Sequence, residues 1–242
     1  ARVAAGIVGH ADLCLGDDVA PVLAAHIKAG GGRFRGIRHS CTWDPSPDVP
    51  NARCEPPEHL YQQENFRQGF AQLAKHNMSF EGWCFHTQIK ELTELAQAFP
   101  DTTIILDHFG GPLGIGPYAG KRNDDFAQWQ TDVTELARCQ NVVAKLGGIN
   151  MELNGFGWHE RDRPPGSEEL MQATRPYYDH AIEQFGVDRC MFESNFPVDM
   201  CSCSYNVLWN SFKHLTADYT AGEKAALYHD TANRVYRLDD PV

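Results

Sequence analysis

The sequence predicts an α/β fold built on a parallel sheet, wound or closed into a barrel by right-handed crossovers. Three observations carry this expectation. Apolar, strand-like runs alternate about six times with amphipathic helical stretches along the 242 residues, which is the rhythm of βα units. The clearest run, Thr102-Thr103-Ile104-Ile105-Leu106, is continuously apolar and β-branched, as suits a strand covered on both faces. The runs also end in polar residues, several of them beside glycine or proline, which places polar groups at the carboxyl ends of strands, where α/β folds bind ligands.

In chain order, Val3 to Asp12 reads as a strand, with Asp17 and Asp18 as caps for a helix carrying Val19, Val22, Leu23 and Ile27 at three- and four-residue spacing. Gly30, Gly31 and Gly32 end that helix, since glycine takes the left-handed cap. Residues 34–39 form the second strand, followed by a proline-rich loop over 42–57 that is long for a βα connection. Pro57 is expected to open a helix striped by Leu60, Phe66, Phe70 and Leu73 and closing near Asn77. The third strand, 79–86, finishes on His86, and a helix through Ile89, Leu92, Leu95 and Phe99 stops at Pro100. The fourth strand ends in Asp107-His108 before the break at Gly110-Gly111-Pro112. A helix burying Phe126, Trp129, Val133 and Leu136 leads to the fifth strand, 141–148, whose polar tip is Lys145. After a long loop over 150–166, Pro176 is expected to begin a helix, and 189–197 form the last strand. The tail is helical, with Thr220-Ala221-Gly222-Glu223 fitting a capping box.

Composition narrows the function. At 42% hydrophobic residues the chain has material for one substantial core, so residues 1–242 are expected to form one domain. A net charge of -11 opposes a nucleic-acid or anionic-membrane partner, because phosphates would repel it and no basic patch interrupts the acidic balance. Apolar runs stay short of the roughly 18 residues of a spanning helix, and a cytoplasmic location is expected. The eight cysteines are irregularly spaced in a chain too large to need disulfide staples, so reduced, mostly buried thiols are expected. Cys201-Ser202-Cys203 alone is a weak zinc signal.

Five segments, Gly9-His10-Ala11-Asp12-Leu13, Gly36-Ile37-Arg38, residues 106–112 (Leu-Asp-His-Phe-Gly-Gly-Pro), Lys145-Leu146-Gly147-Gly148 and residues 191–198 (Met-Phe-Glu-Ser-Asn-Phe-Pro-Val), together resemble the amidohydrolase-related family. The likeness runs essentially end to end and is strongest to its metal-dependent hydrolases that include pyrone-dicarboxylate and sugar lactonases. The resemblance implies a (β/α)8 TIM barrel, of which this chain would supply strands three to eight and lack the first one or two βα units. It also implies a divalent metal such as zinc, although the family's His-x-His pair does not occur in this sequence. The implied chemistry is hydrolysis of a small, carboxylated lactone or related ester. The rival readings are a zinc-dependent decarboxylase of the same superfamily and a non-catalytic ligand-binding barrel.

Individual residues follow from both lines of reasoning. His108 ends the clearest strand and matches the family's histidine, so it is the first catalytic candidate. Asn195, also a catalytic candidate, stands where many relatives carry the acid of the last strand, and an amide is no general base, so Glu193, two residues earlier on the same face, is the substitute carboxylate and the third catalytic candidate. Glu193 as a buried acid paired to Lys145 or Arg38 is the competing reading. Arg38, His86 and Lys145 are the substrate-binding candidates, Arg38 for a carboxylate through paired donors. His86 and His108 are the metal-ligand candidates. Asp107, by strand parity, is expected on the face opposite His108, and His10 in a supporting role. Tyr118, Trp158 and His159 could line the mouth from long loops. The expected partner is a small-molecule substrate, with a second copy of the chain left open.

Overall fold

A computed structural model describes residues 4–238; Val3, with which the predicted first strand begins, lies outside the described residues. Six parallel strands, β1 (Ile7–Gly9), β2 (Phe34–Arg38), β3 (Ser79–Gly82), β4 (Ile104–Leu106), β5 (Val142–Leu146) and β6 (Cys190–Phe192), pair in sequence order. Five helices connect them: α1 (Ala20–Gly30), α2 (Glu64–Lys75), α3 (Ile89–Ala98), α4 (Arg122–Ala137) and α5 (Ser167–Phe185). Three more, α6 (Tyr205–Leu215), α7 (Ala221–Ala225) and α8 (Thr231–Tyr236), follow β6.

The sheet is curled. Neighbouring strands sit about 4.8 Å apart, so a flat sheet would hold β2 and β6 about 19 Å from each other. Val235 of α8 packs on Met191 of β6, yet the next residue, Tyr236, donates to Glu81 of β3 at 2.5 Å. Arg35 of β2 in turn donates to the carbonyls of Tyr236 and Arg237. The described strands thus form an open, barrel-like α/β sheet with α8 across the concave side.

Alternation sorts the strand residues cleanly. Ile104, Leu106, Val142, Ala144, Cys190 and Phe192 join the helices in the main core, whereas Ile105, Val143 and Met191 meet Val235 on the inner face. Asp107, Lys145 and Glu193 continue that inner set one step further along their chains.

The expected order of elements holds, while several boundaries differ for identifiable reasons. The first helix is entered through a 3-10 turn capped by Asp12, whose carboxylate accepts from the Cys14 amide at 2.9 Å; Asp17 and Asp18 lie inside that turn and cap nothing. The helix does end as expected, on Gly31 in the left-handed region (φ 54). Left-handed His59 and extended Gln63 interrupt the chain after Pro57, so α2 starts only at Glu64. Pro176 sits inside α5 rather than at its start, because the buried stripe of Leu170, Thr174, Tyr177, Tyr178 and Ala181 runs straight through it. Burying each tyrosine or leucine is worth about 1.5–3 kcal/mol, enough together to outweigh the roughly 3 kcal/mol cost of an internal proline. The capping box at α7 is formed: Thr220 Oγ1 accepts from the Glu223 amide, and the Glu223 carboxylate accepts from the Thr220 amide.

All eight cysteines are free, with Cys41, Cys84, Cys139, Cys190 and Cys203 buried and Cys54 and Cys201 exposed. Among the described residues, no helix is long and apolar enough to cross a membrane.

Candidate active site

At the carboxyl ends of the strands the inner face changes from aliphatic to charged. Glu81 of β3, Asp107 after β4 and Lys145 of β5 are buried side by side, and Arg38 of β2 reaches over them. Lys145 Nζ is bonded to Glu81 Oε2 and lies 3.1 Å from Asp107 Oδ1. Arg38 Nη2 lies 2.9 Å from Asp107 Oδ2 and 3.2 Å from Glu81 Oε2. Two acids thus face two cations, which is how charge is tolerated away from water. Burial pushes the Glu81 carboxyl up, as does the charge of Asp107 beside it. Burial acts the same way on Asp107, but Lys145, Arg38 and His108 outweigh it and hold Asp107 below the usual range.

His108 is in this site by a different route. Counting from Ile105, parity would send Asp107 inward and His108 outward, so the expectation that Asp107 faces away from His108 is corrected. The strand ends at Leu106, and His108 (φ 51), Phe109 (φ 59), Gly110 and Gly111 all take the left-handed region. That turn brings the His108 ring back to the inner side. Each non-glycine residue so held costs on the order of 1–3 kcal/mol; Phe109, packed in the core and accepting from Trp129 Nε1 at 2.7 Å, fixes the turn.

Once inside, His108 Nδ1 lies 2.5 Å from Glu193 Oε1, and the second oxygen of Glu193 is 4.0 Å from Lys145 Nζ. Burial disfavours the imidazolium, yet Glu193 raises the His108 pKa; burial likewise disfavours the Glu193 carboxylate, while His108 and Lys145 bring it below the usual range. The two therefore stand as an ion pair. Room for them comes from Gly147 and Gly148: a Cβ on Gly148 would fall 2.3 Å from His108 Nδ1, and one on Gly147 would fall 2.3 Å from the Glu193 carbonyl oxygen. This is the physical content of the Lys145-Leu146-Gly147-Gly148 segment.

Beyond Glu193 the chain leaves the strand, and Asn195 sits in the left-handed region (φ 44) rather than one strand layer above Glu193. Its amide donates to Asp199 Oδ1 at 2.9 Å. A cavity of about 870 Å³, within the size of small-molecule sites, opens over these groups, lined by Arg38, Glu81, Trp83, His108, Lys145 and Asn195.

His86 is not among the cavity's lining residues. The third strand ends at Gly82, and His86 is buried in a 3-10 turn beyond it, its Nδ1 accepting from the Leu113 amide and its ring against Tyr118. Burial lowers its pKa, which keeps the imidazole neutral. Tyr118 donates to Asp44 at 2.6 Å and Trp158 is buried in the core; neither these two nor His159 lines the cavity, whose loop contribution includes Ser40, Thr42, residues 50–54, Met151, Leu153 and Val198. Glu81, Trp83 and Asp199 were not among the sequence candidates. A charged residue alternating with Phe80 in a buried strand was the available signal for Glu81.

The metal-ligand candidates His86 and His108 do not come together with a third donor. Among the described residues, the set of three donors within 4.8 Å of one another is Asp12, Cys14 and His39. Two of those are already engaged: Asp12 caps the Cys14 amide, and His39 Nδ1 accepts from the Leu13 amide at 3.1 Å. The described strand tips therefore do not fit a metal.

An α/β sheet with its charged groups gathered at the carboxyl ends defines a class, and the chain belongs to the amidohydrolase family, whose model matches residues 1–238. It is 36% identical to the Sinorhizobium fredii protein y4mH, over 96% of this chain and 70% of that protein. It is 28% identical to an L-fucono-1,5-lactonase of Burkholderia multivorans, over 100% of this chain and 74% of the lactonase. A Burkholderia multivorans amidohydrolase crystallised with bound HEPES or with bound zinc superposes with a TM-score of 0.76 at 26% identity; the HEPES form covers 96% of this chain and 74% of that one.

Proposed function

We propose that this chain is a hydrolase of small lactones or related esters, with an anionic or strongly polar group on the substrate. The observation that carries the reading is His108 on the wall of the cavity, ion-paired to Glu193 behind it, in a chain of the amidohydrolase family with a lactonase relative. A charged imidazolium hydrogen-bonds the scissile carbonyl, stabilises the oxyanion formed by water attack and donates a proton to the departing alkoxide, while the proton shed by the attacking water passes through solvent and restores the imidazolium. Glu193 keeps that ring protonated and aimed. A carboxylate held below its usual range is a weak base, so the water-activating part expected for Glu193 does not follow from its surroundings.

Arg38 is the anion-binding group: its side chain is 37% exposed, against 11% for Lys145, whose ammonium is bound to Glu81 and Asp107. Lys145 belongs to the floor of the cavity more than to the substrate, and His86 supports the loop around Leu113. The substrate is a small molecule, and the net charge of -11 keeps nucleic acid out of the reading.

Ring opening of L-fucono-1,5-lactone and a panel of other sugar and carboxylated lactones, followed by proton release, tests the proposal. Saturable hydrolysis lost in His108→Gln supports it. Carbon dioxide release from aromatic carboxylates without lactone opening would replace it by the decarboxylase reading.

A further inference from the structure

Asp199 is buried at 0% exposure and, among the described residues, has no cationic partner. Its two oxygens are filled by amides instead: Asn195 Nδ2 donates to Oδ1 at 2.9 Å and Asn150 Nδ2 is 3.4 Å from Oδ2. The same turn is tied in both directions, because the Asp199 amide donates to the Asn195 carbonyl at 3.1 Å and Ser202 Oγ donates to the Asn150 carbonyl at 2.5 Å. An ionised carboxylate can only accept hydrogen bonds. The NH2 end of Asn195 must therefore face Asp199, and the carbonyl end is left over. Asn195 lines the cavity, and among the described residues its Oδ1 accepts no hydrogen bond.

We propose that Asp199 is a positioning residue that sets the polarity of the Asn195 side chain, presenting Oδ1 to the cavity as the acceptor for a hydroxyl group of the substrate. The inference rests on the hydrolase reading for its kinetic consequence and on geometry alone for the orientation. Arg38, Lys145 and His108 are all donors, and the carboxylates of Glu81 and Glu193 are engaged by Lys145, Arg38, Tyr236 and His108. Asn195 Oδ1 is thus a neutral acceptor beside the groups that bind anions and carbonyls, in a cavity that also offers the hydroxyls of Ser40 and Thr42. This favours a lactone carrying hydroxyl groups over a fully oxidised ring with carboxylates alone. A site built to bond a hydroxyl discriminates against an analogue that lacks it, because the acceptor is then left unpaired.

The arrangement is sensitive to pH. Burial pushes Asp199 up to about 6, partly opposed by its hydrogen bond from Asn195; His108, Glu193, Tyr178 and Cys203 are the other titratable groups that face it. Once protonated, Asp199 becomes a donor and no longer requires the NH2 end of Asn195.

The test combines side-chain amide NMR of the wild-type protein with Asp199→Asn kinetics. The Asn195 NH2 resonances are expected to shift with a midpoint near 6 in wild type and to lose that transition in Asp199→Asn. That variant is further expected to lose about tenfold in its preference for L-fucono-1,5-lactone over unsubstituted δ-valerolactone, carried by KM, as the loss of one hydrogen bond to a hydroxyl requires. Asn195 resonances indifferent to pH from about 5 to 7 in wild type would overturn the proposal, whether or not the variant folds. An unchanged preference ratio would overturn the assignment of Oδ1 to a substrate hydroxyl. If wild type hydrolyses none of the lactones in the panel, the hydrolase reading fails, and the amide titration still decides the orientation.

Discussion

On the floor of the cavity, Glu81 and Asp107 are matched by Arg38 and Lys145; behind the wall residues His108 and Asn195, Glu193 answers to His108 and Asp199 to two amides. Both regions are buried and polar, and they differ in what a change of protonation does to them. The floor binds its acids with cations that stay charged throughout the physiological range, so it is fixed. The wall relies on an imidazole and on amides, so its charge and its hydrogen-bond polarity can respond to a substrate or to pH. The difference separates a foundation from the groups able to do chemistry.

His108→Gln should break the comparison most sharply: turnover is expected to fall by about 10²–10⁴, while the stability lost with the Glu193 pair stays smaller than that lost from the floor. Equal losses of stability and activity would place His108 with the floor. Asp107→Ala should do the reverse, because it leaves Lys145 and Arg38 short of an acid; about 3–5 kcal/mol of stability should be lost in urea unfolding. A change below about 1 kcal/mol would show that the floor is not the foundation described.

Glu193→Gln sharpens the wall. The folded pKa of His108 is raised by Glu193, so the imidazolium's contribution to stability is complete below the unfolded histidine value and is lost as pH rises through the folded one. Activity that needs the imidazolium should decline over the same alkaline limb. Without the carboxylate only burial and the remaining charges act, and the limb should move to lower pH, visible in the pH–rate profile and in His108 imidazole NMR. A limb that does not move would detach Glu193 from the titration. The smallest effect is expected outside both regions: Arg161→Ala removes a 2.7 Å pair with Glu169 that is exposed on both sides, and under about 1 kcal/mol should be lost.

The alternation of elements was legible because continuous apolar strands and striped helices are local patterns. So was the position of Glu193, since parity with Met191 holds one residue past the end of β6. Asp107 and His108 were misassigned to opposite faces because four successive left-handed residues, two of them His108 and Phe109, suspend parity where the strand stops. His86 looked equivalent to His108 for the same reason in reverse: β3 ends four residues before it, and the intervening turn takes it away from the cavity. Glu81 and Asp199 escaped notice because their importance lies in partners up to 155 positions away in the chain. No spacing rule on one strand announces such a partner.

The phenol of Tyr236, bonded to Glu81 from the other end of the chain, makes the last helix a keystone for the first half of the sheet. Trimming the chain before that residue would uncap a buried acid and release the clasp that Arg35 closes on the backbone behind it. An affinity tag or a fusion partner belongs past this ring, with enough slack that the keystone is never pulled from its seat.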